Sequence, residues 1–297
     1  MVIRFGQTLR GVICALLAAL NTLSVATPLL AVALARLVPL PAWQRACARV
    51  LVRLGETWVA VNSILLRVLV RVRFDVRACD DLERNASYLV VSNHQSWSDI
   101  LVLQHVLHRR VPFLRFFLKQ QLFYVPVLGL AWWALDFPFM RRHSAEVLAK
   151  HPELRTQDLE TTRRACERFR HAPVALINFL EGTRFTAAKH RAQGSPYRYL
   201  LKPKTGGIAF AIGAMGDQVR SLLDITVVYP EGARPFWDFL CGRVPAVRVD
   251  LREVPIPVEL LAAQYAESAE GRAGFQAWVT QLWEAKDRRI GDLLASR

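Results

Sequence analysis

The sequence is poor in the features that would place it in several common classes. Its 297 residues include five cysteines (Cys14, Cys47, Cys79, Cys166 and Cys241), and no two form a C-x-x-C pair. That density and spacing exclude a disulfide scaffold or a structural zinc site, so the thiols read as small hydrophobes. No G-x-S-x-G occurs, so the nucleophile elbow of a serine hydrolase is missing and an acyl-enzyme route through Ser96 or Ser98 is not signalled. No internal repeat and no linker rich in Gly or Ser divides the chain. Acidic residues are in deficit, 25 against 39 basic, for a formal charge of +14. That surplus would suit a nucleic acid, but the basic residues are scattered beside aromatic and aliphatic runs. This pattern suits an anionic membrane surface, and no nucleic-acid partner is expected. At 53% hydrophobic and 22% charged residues, the chain is too apolar for disorder and long enough for a sizeable core.

Charge is absent altogether from Gly11 to Ala35, a run bounded by Arg10 and Arg36. As a helix it is long enough to cross a bilayer core of about 30 Å. A cleaved signal peptide competes with this reading, because Arg4 and Arg10 precede the run and Ala31-Val-Ala33 imitates a cleavage site; the length favours retention. Between Glu56 and Arg67 the uncharged stretch is too short to span. There Trp58, Val61, Ile64, Leu65 and Val68 recur at helical spacing, as in a helix lying in the interface. Basic residues flank both segments and give no clear sidedness. A hairpin dipping into one leaflet fits that ambiguity. Residues 1–70 are therefore expected to be membrane-anchoring helices and residues 71–297 a globular domain.

Beyond Arg71, strand patterns at 72–76, 88–92, 137–140, 174–179, 224–229 and 247–254 alternate with helical patterns. The helices fall near 97–108, 121–135, 157–171, 205–214 and 271–294. Alternation of this kind predicts an α/β fold, a mixed sheet flanked by helices. His105 and His108 are expected to face solvent rather than a metal. Asn85-Ala86-Ser87 forms a glycosylation sequon that has no use if the domain is cytosolic.

Chemistry-bearing residues gather where strands end. Val90-Val-Ser-Asn-His-Gln-Ser-Trp-Ser-Asp-Ile100 passes from an apolar run into a helical pattern. His94 and Asp99 are five residues apart, which on one regular helix would separate them by about 140°. They can meet only if His94 sits in the turn and Asp99 in the first helical turn. Asp99 would then hold the imidazole in one tautomer, and the other nitrogen could take a proton from a substrate hydroxyl. The competing reading is a capping box, with Ser96 as N-cap and Asp99 at N3. A second strand pattern ends in Glu181-Gly182-Thr183-Arg184. Gly182 permits close backbone approach, Thr183 and backbone amides donate hydrogen bonds, and Arg184 offers a bidentate cation. Glu181 would orient Arg184 or bond a substrate hydroxyl.

His-x4-Asp after one strand and Glu-Gly-Thr-Arg after another together resemble the glycerolipid acyltransferases, the lysophosphatidic acid acyltransferase family, over roughly residues 70–255. Phe139-Met140-Arg141-Arg142 is similar to that family's second motif, with Arg142 in the arginine's place and Arg141 beside it. Asp136 stands where the family carries a glycine. Lys189-His190 and Leu201-Lys202-Pro203-Lys204-Thr205-Gly206-Gly207 extend the likeness to the lysophosphatidate and lysocardiolipin branch. Asp224-Ile-Thr-Val-Val-Tyr-Pro230 is similar to the strand thought to shape the acyl pocket, with Tyr229 departing from the commoner valine.

The resemblance implies a membrane-bound enzyme moving an acyl chain from acyl-CoA or acyl carrier protein to a lysophospholipid hydroxyl. Catalytic roles would fall to His94 and Asp99, and acceptor binding to Glu181, Gly182, Thr183, Arg184, Arg141 and Arg142. It implies no metal and no cofactor, a phospholipid membrane as partner, and a catalytic domain facing the cytosol. The same mechanism on another acceptor, such as lysocardiolipin, and a membrane lipid-binding scaffold remain as alternatives.

Overall fold

The structure is a computed structural model that describes residues 2–79, 81–140, 173–215, 218–219, 221–261 and 269–296. The chain opens with two long helices, α1 (Val2–Ala35) and α2 (Pro41–Leu65), the second extended by a wide helical turn over Leu66–Val70. There follow β1 (Arg73–Arg77), β2 (Tyr88–Ser92), α3 (Ser98–Leu107), β3 (Leu114–Phe116), β4 (Leu118–Lys119), α4 (Leu128–Ala134) and β5 (Phe139–Met140). The second half supplies β6 (Ala175–Phe179), α5 (Ala187–Gln193), α6 (Gly206–Met215), β7 (Ser221–Val228), α7 (Phe236–Leu240), β8 (Ala246–Pro255), α8 (Val258–Leu261) and α9 (Ala269–Ala295).

Six strands form one sheet in the order β1-β8-β7-β2-β6-β3, parallel throughout except for the antiparallel β7–β8 pair, and β4 and β5 form a small parallel ladder apart from it. The mixed sheet expected from the sequence is therefore present. Strand β2 lies at its centre, and its five residues are all buried, as a strand covered on both faces requires. Successive side chains alternate between two apolar layers. Val90 joins a cluster with Leu103, Ile177 and Leu223, whereas Leu89 and Val91 join Ile208, Val279 and Trp283. Helices α6 and α9 cover the second face.

The first face is covered partly by α3 and partly by the N-terminal hairpin, since Cys14, Leu29, Leu51 and Val59 belong to the same apolar cluster as Val90. The hairpin is thus continuous with the core of the sheet domain. Its helices are also tied by polar contacts: Asn21 Nδ2 donates to Asn62 Oδ1 at 3.0 Å and to the Trp58 carbonyl at 3.1 Å, and Trp58 Nε1 donates to Thr22. Phe5–Ala35 is long and apolar enough to cross a membrane. The segment expected to be a short interfacial helix is instead the second half of α2.

Other expectations shift locally. The helical pattern at 121–135 is divided into a 3-10 turn over Gln120–Tyr124 and the short α4. Pro126 interrupts it, and a side chain at Gly129 would lie 1.9 Å from the Phe123 carbonyl oxygen. Asp136, which replaces a glycine of the resembled motif, adopts the glycine-like conformation with φ 58°, which Asp tolerates better than most residues. Its carboxylate meets Arg36 at 2.8 Å, so the end of α1 is fastened to this turn. His105 and His108 do not simply face solvent, for both lie half-buried on the hairpin side. The His105 ring lies 4.6 Å from that of Phe74, and burial with nearby Arg67 holds its pKa down to about 4. The helix expected at 157–171 lies outside the described residues, as do Arg141 and Arg142.

Candidate active site

Parallel strands bring their carboxyl ends to one edge, and open α/β sheets bind ligands there. Strands β6, β2 and β7 are adjacent and parallel, with Ser92 in register with both Phe179 and Ile225. The residues just beyond each strand therefore converge. From β2 come Asn93 and His94, from β6 the turn Glu181–Arg184, and from β7 Tyr229. The side chain of Asn93 prolongs the β2–β7 ladder, its Oδ1 accepting from the Val227 N–H at 2.9 Å and its Nδ2 donating to the Val227 carbonyl at 2.8 Å.

His94 sits in the turn and Asp99 in the first turn of α3, and His94 Nδ1 lies 2.8 Å from Asp99 Oδ2. The same oxygen accepts the N–H groups of Gln95 (2.7 Å) and Ser96 (2.9 Å). One carboxylate oxygen thus holds the imidazole and two turn amides together; the capping box with Ser96 as N-cap is not formed, because α3 begins at Ser98 with Trp97 at the N-cap position and no side-chain cap bond. Asp99 is fully buried while the His94 side chain keeps 12% exposure. A buried ion without such donors would be strongly disfavoured. Facing that acceptor, Nδ1 is the protonated nitrogen, which leaves Nε2 with its lone pair for a substrate. The imidazole stacks on Phe179, with ring centroids 4.0 Å apart and 16° between planes.

The second motif holds the first in place. Glu181 is fully buried; its Oε1 accepts from the His94 N–H at 2.9 Å and its Oε2 from the Leu201 N–H at 3.2 Å. The Phe185 N–H donates to the His94 carbonyl at 2.7 Å. Both backbone polar groups of the histidine are thus bound by the 181–185 turn. Where the sequence reading turns Glu181 to Arg184 or to a substrate hydroxyl, the structure turns its two buried oxygens to the His94 and Leu201 N–H groups. Burial pushes its carboxyl up to about 8, while the two backbone donors and Lys286 favour the charged form. Lys286 is itself fully buried on α9 and pairs with Asp224 at 2.5 Å.

Gly182 has φ +66°, and a Cβ there would lie 3.0 Å from the Lys204 side chain. Thr183 Oγ1 accepts from Lys189 Nζ at 2.6 Å, and the same ammonium donates to the Arg184 carbonyl. Arg184 is exposed, with its guanidinium 5.0 Å from the centre of the Trp97 ring. Gln95, Ser96, Arg184, Tyr229, Arg234 and Phe236 help to line an open cleft of about 640 Å³. Among the described residues no cluster of three His, Cys, Asp or Glu is arranged to hold a metal. Sequence reasoning missed the roles of Asn93, Lys189, Trp97 and Tyr229. Tyr229 OH lies 2.6 Å from Asp99 Oδ1, a contact between residues 130 positions apart that depends on the strand order.

Fold and site together define a class, the mixed-sheet α/β enzymes with a histidine–carboxylate pair at the carboxyl edge of the sheet. The sequence model of the family described as Acyltransferase matches residues 73–230, and the chain belongs to that family. Lysocardiolipin acyltransferase 1 of Danio rerio is 29% identical over 254 residues, covering 80% of this chain and 60% of the relative. The 1-acyl-sn-glycerol-3-phosphate acyltransferase gamma of Homo sapiens is 28% identical over 180 residues, covering 57% of this chain and 43% of the relative. The chain thus spans less than two thirds of the length of these relatives. The crystal structure of the 1-acyl-sn-glycerophosphate (LPA) acyltransferase PlsC from Thermotoga maritima shares the fold, with a TM-score of 0.54 at 17% identity over 95% of this chain and 97% of that one.

Proposed function

We propose that the protein is a membrane-bound lysophospholipid O-acyltransferase that moves an acyl chain from a thioester to a free glycerol hydroxyl, with lysophosphatidic acid as acceptor and phosphatidic acid as product. The observation that carries this reading is His94 held through Nδ1 by the buried carboxyl group of Asp99, which leaves Nε2 placed to act as general base. Nε2 removes the hydroxyl proton as the acceptor oxygen attacks the thioester carbonyl, and the C–S bond breaks. The imidazolium then returns its proton to the departing thiolate. No protein nucleophile intervenes. The exposed guanidinium of Arg184 supplies a forked cation for the acceptor phosphate, and Arg141 and Arg142 are assigned the same task from the sequence. The names of the two relatives support both acceptors, 1-acyl-sn-glycerol-3-phosphate and lysocardiolipin, and lysocardiolipin is kept as the alternative. The donor is acyl-CoA or acyl carrier protein.

The apolar α1 supports an anchor, and we assign the cleft to the cytosolic face, where a water-soluble thioester meets a lipid acceptor. The purified protein is to be incubated with labelled acyl thioester and lysophosphatidic acid. Label appearing in phosphatidic acid supports the assignment, label released as free fatty acid indicates a hydrolase, and unchanged thioester indicates a lipid-binding scaffold.

A further inference from the structure

The carboxylate of Asp99 has two oxygens, and general-base catalysis by His94 uses only one of them. Oδ2 takes the imidazole and two backbone amides, whereas Oδ1 points away from the histidine and accepts the hydroxyl of Tyr229 at 2.6 Å. Both partners are buried, Asp99 at 0% and Tyr229 at 3% exposure. The tyrosine is rigidly placed, because it directly follows β7, which is hydrogen-bonded to β2 along Leu222–Ile225 and by the Asn93 side chain at Val227.

We propose that Tyr229 is the positioning residue of the His94–Asp99 pair: its hydroxyl fixes the rotation of the carboxylate and draws charge from it, setting how basic the imidazole is. This rests on the general-base reading above. The hydroxyl remains a donor through the working range, because burial and the adjacent carboxylate hold its pKa well above the ordinary tyrosine value. A hydrogen bond to an ionised acceptor is among the stronger kinds, and one placed on Oδ1 competes with imidazolium for the negative charge. Without it the carboxylate would hold the protonated imidazole more tightly, and the histidine would give up its proton at higher pH. The free carboxylate would also turn more readily, and the geometry of proton transfer would loosen.

Other titratable and charged groups surround the pair: Glu181 bonds the His94 N–H and lies near Asp99, Lys286 on α9 stands behind Glu181, and Arg184 and Arg234 line the cleft beside Gln95, Ser96 and Tyr229. All of them persist in a Tyr229→Phe variant, so a difference between the two enzymes reports the lost hydroxyl.

The test is the pH profile of acyl transfer by the full-length protein in detergent micelles, with acyl thioester and lysophosphatidic acid. In Tyr229→Phe the acid limb moves upward by about half a unit to one unit. The plateau kcat falls roughly tenfold, and KM for both substrates stays within about twofold. Should Tyr229→Phe impair folding, replacing Tyr229 by 2,3-difluorotyrosine keeps the ring and makes the hydroxyl a stronger donor, and the acid limb then moves downward. Unshifted acid limbs in the folded variants overturn the proposal, as does an effect of Tyr229→Phe confined to thermal stability. His94→Ala run in parallel separates the two readings. Full activity there removes the general-base mechanism itself, whereas an inactive His94→Ala beside an unshifted Tyr229→Phe removes only the role of Tyr229.

Discussion

Glu181 shows how two motifs far apart in sequence act as one unit. Its carboxyl group accepts the N–H of His94, so its replacement moves the base rather than the acceptor. Glu181→Gln keeps one acceptor oxygen but turns an NH2 toward the other backbone donor, and kcat should fall with little change in acceptor KM. The same residue makes stability depend on pH. An acid whose folded pKa is raised from 4.5 to about 8 keeps its proton in the native state while the unfolded chain loses it. The Glu181 contribution to stability is then greatest below about 4.5 and falls, by at most about 1.4 kcal/mol per unit, as pH rises towards 8. His105, held down to about 4, contributes the opposite slope between about 4 and 6.5, so the difference between wild type and Glu181→Gln in chemical denaturation across the window should show the slope of Glu181. Arg184 supports a different prediction. Arg184→Lys retains the charge and loses the fork, so the apparent affinity for lysophosphatidic acid should weaken about tenfold or more while that for the thioester changes little. Equal effects on both would count against Arg184 as the phosphate ligand. The meeting of His94 with Asp99 was legible because their spacing left one arrangement in which they could touch. Burial of Glu181 was not, since a glutamate beside Gly-Thr-Arg reads equally well as a ligand or a clamp until Leu201 and His94 are seen on either side of it.

Among the elements, the hairpin carries the most information. Asn21 lies within the uncharged part of α1, where an unpaired amide would be costly in lipid, and α2 satisfies it through Asn62 and Trp58. The second half of α2 must therefore reach the same depth as the middle of α1. Asn21→Leu should loosen the hairpin by about 0.5–1.5 kcal/mol, read as a lower Tm in micelles with kcat preserved. An unchanged Tm would mean that apolar packing alone joins the helices. The central strands β2, β6 and β7 were legible because each is mostly apolar, although Asp224 within β7 set its expected start three residues late, at 224 instead of 221. Periodicity missed β3, which has three residues, and α5 and α7, which have seven and five. Segments so short complete too few turns or alternations to show a period. The run at 121–135 breaks between Tyr124 and Leu128, where Pro126 interrupts it.

For the whole molecule, apolar contacts make the hairpin and the sheet domain one packed body. Because Cys14, Leu29, Leu51 and Val59 share a cluster with the sheet, deleting residues 1–54 should expose apolar core as well as remove the anchor. The truncated protein should therefore lose most activity even on detergent-dispersed substrate; retained activity there would mean that the hairpin serves only as an anchor. Carbonate should not strip the intact chain from vesicles, and reporters at residues 1 and 297 should both lie on the cytosolic side. Composition already pointed to a membrane rather than a nucleic acid, but the order of strands, and with it the pairing of Tyr229 with Asp99, could not be read from one dimension. The central claim is direct transfer by His94 without a protein nucleophile. It is tested most directly by following thiol release, new lipid ester and protein-bound acyl group together in wild type and His94→Ala. Wild type should release one thiol per ester formed with no acyl group on the protein, and His94→Ala should lose about a hundredfold to ten-thousandfold in rate while remaining folded. Near-full turnover by His94→Ala, or an acyl group trapped on the wild-type chain, would contradict it.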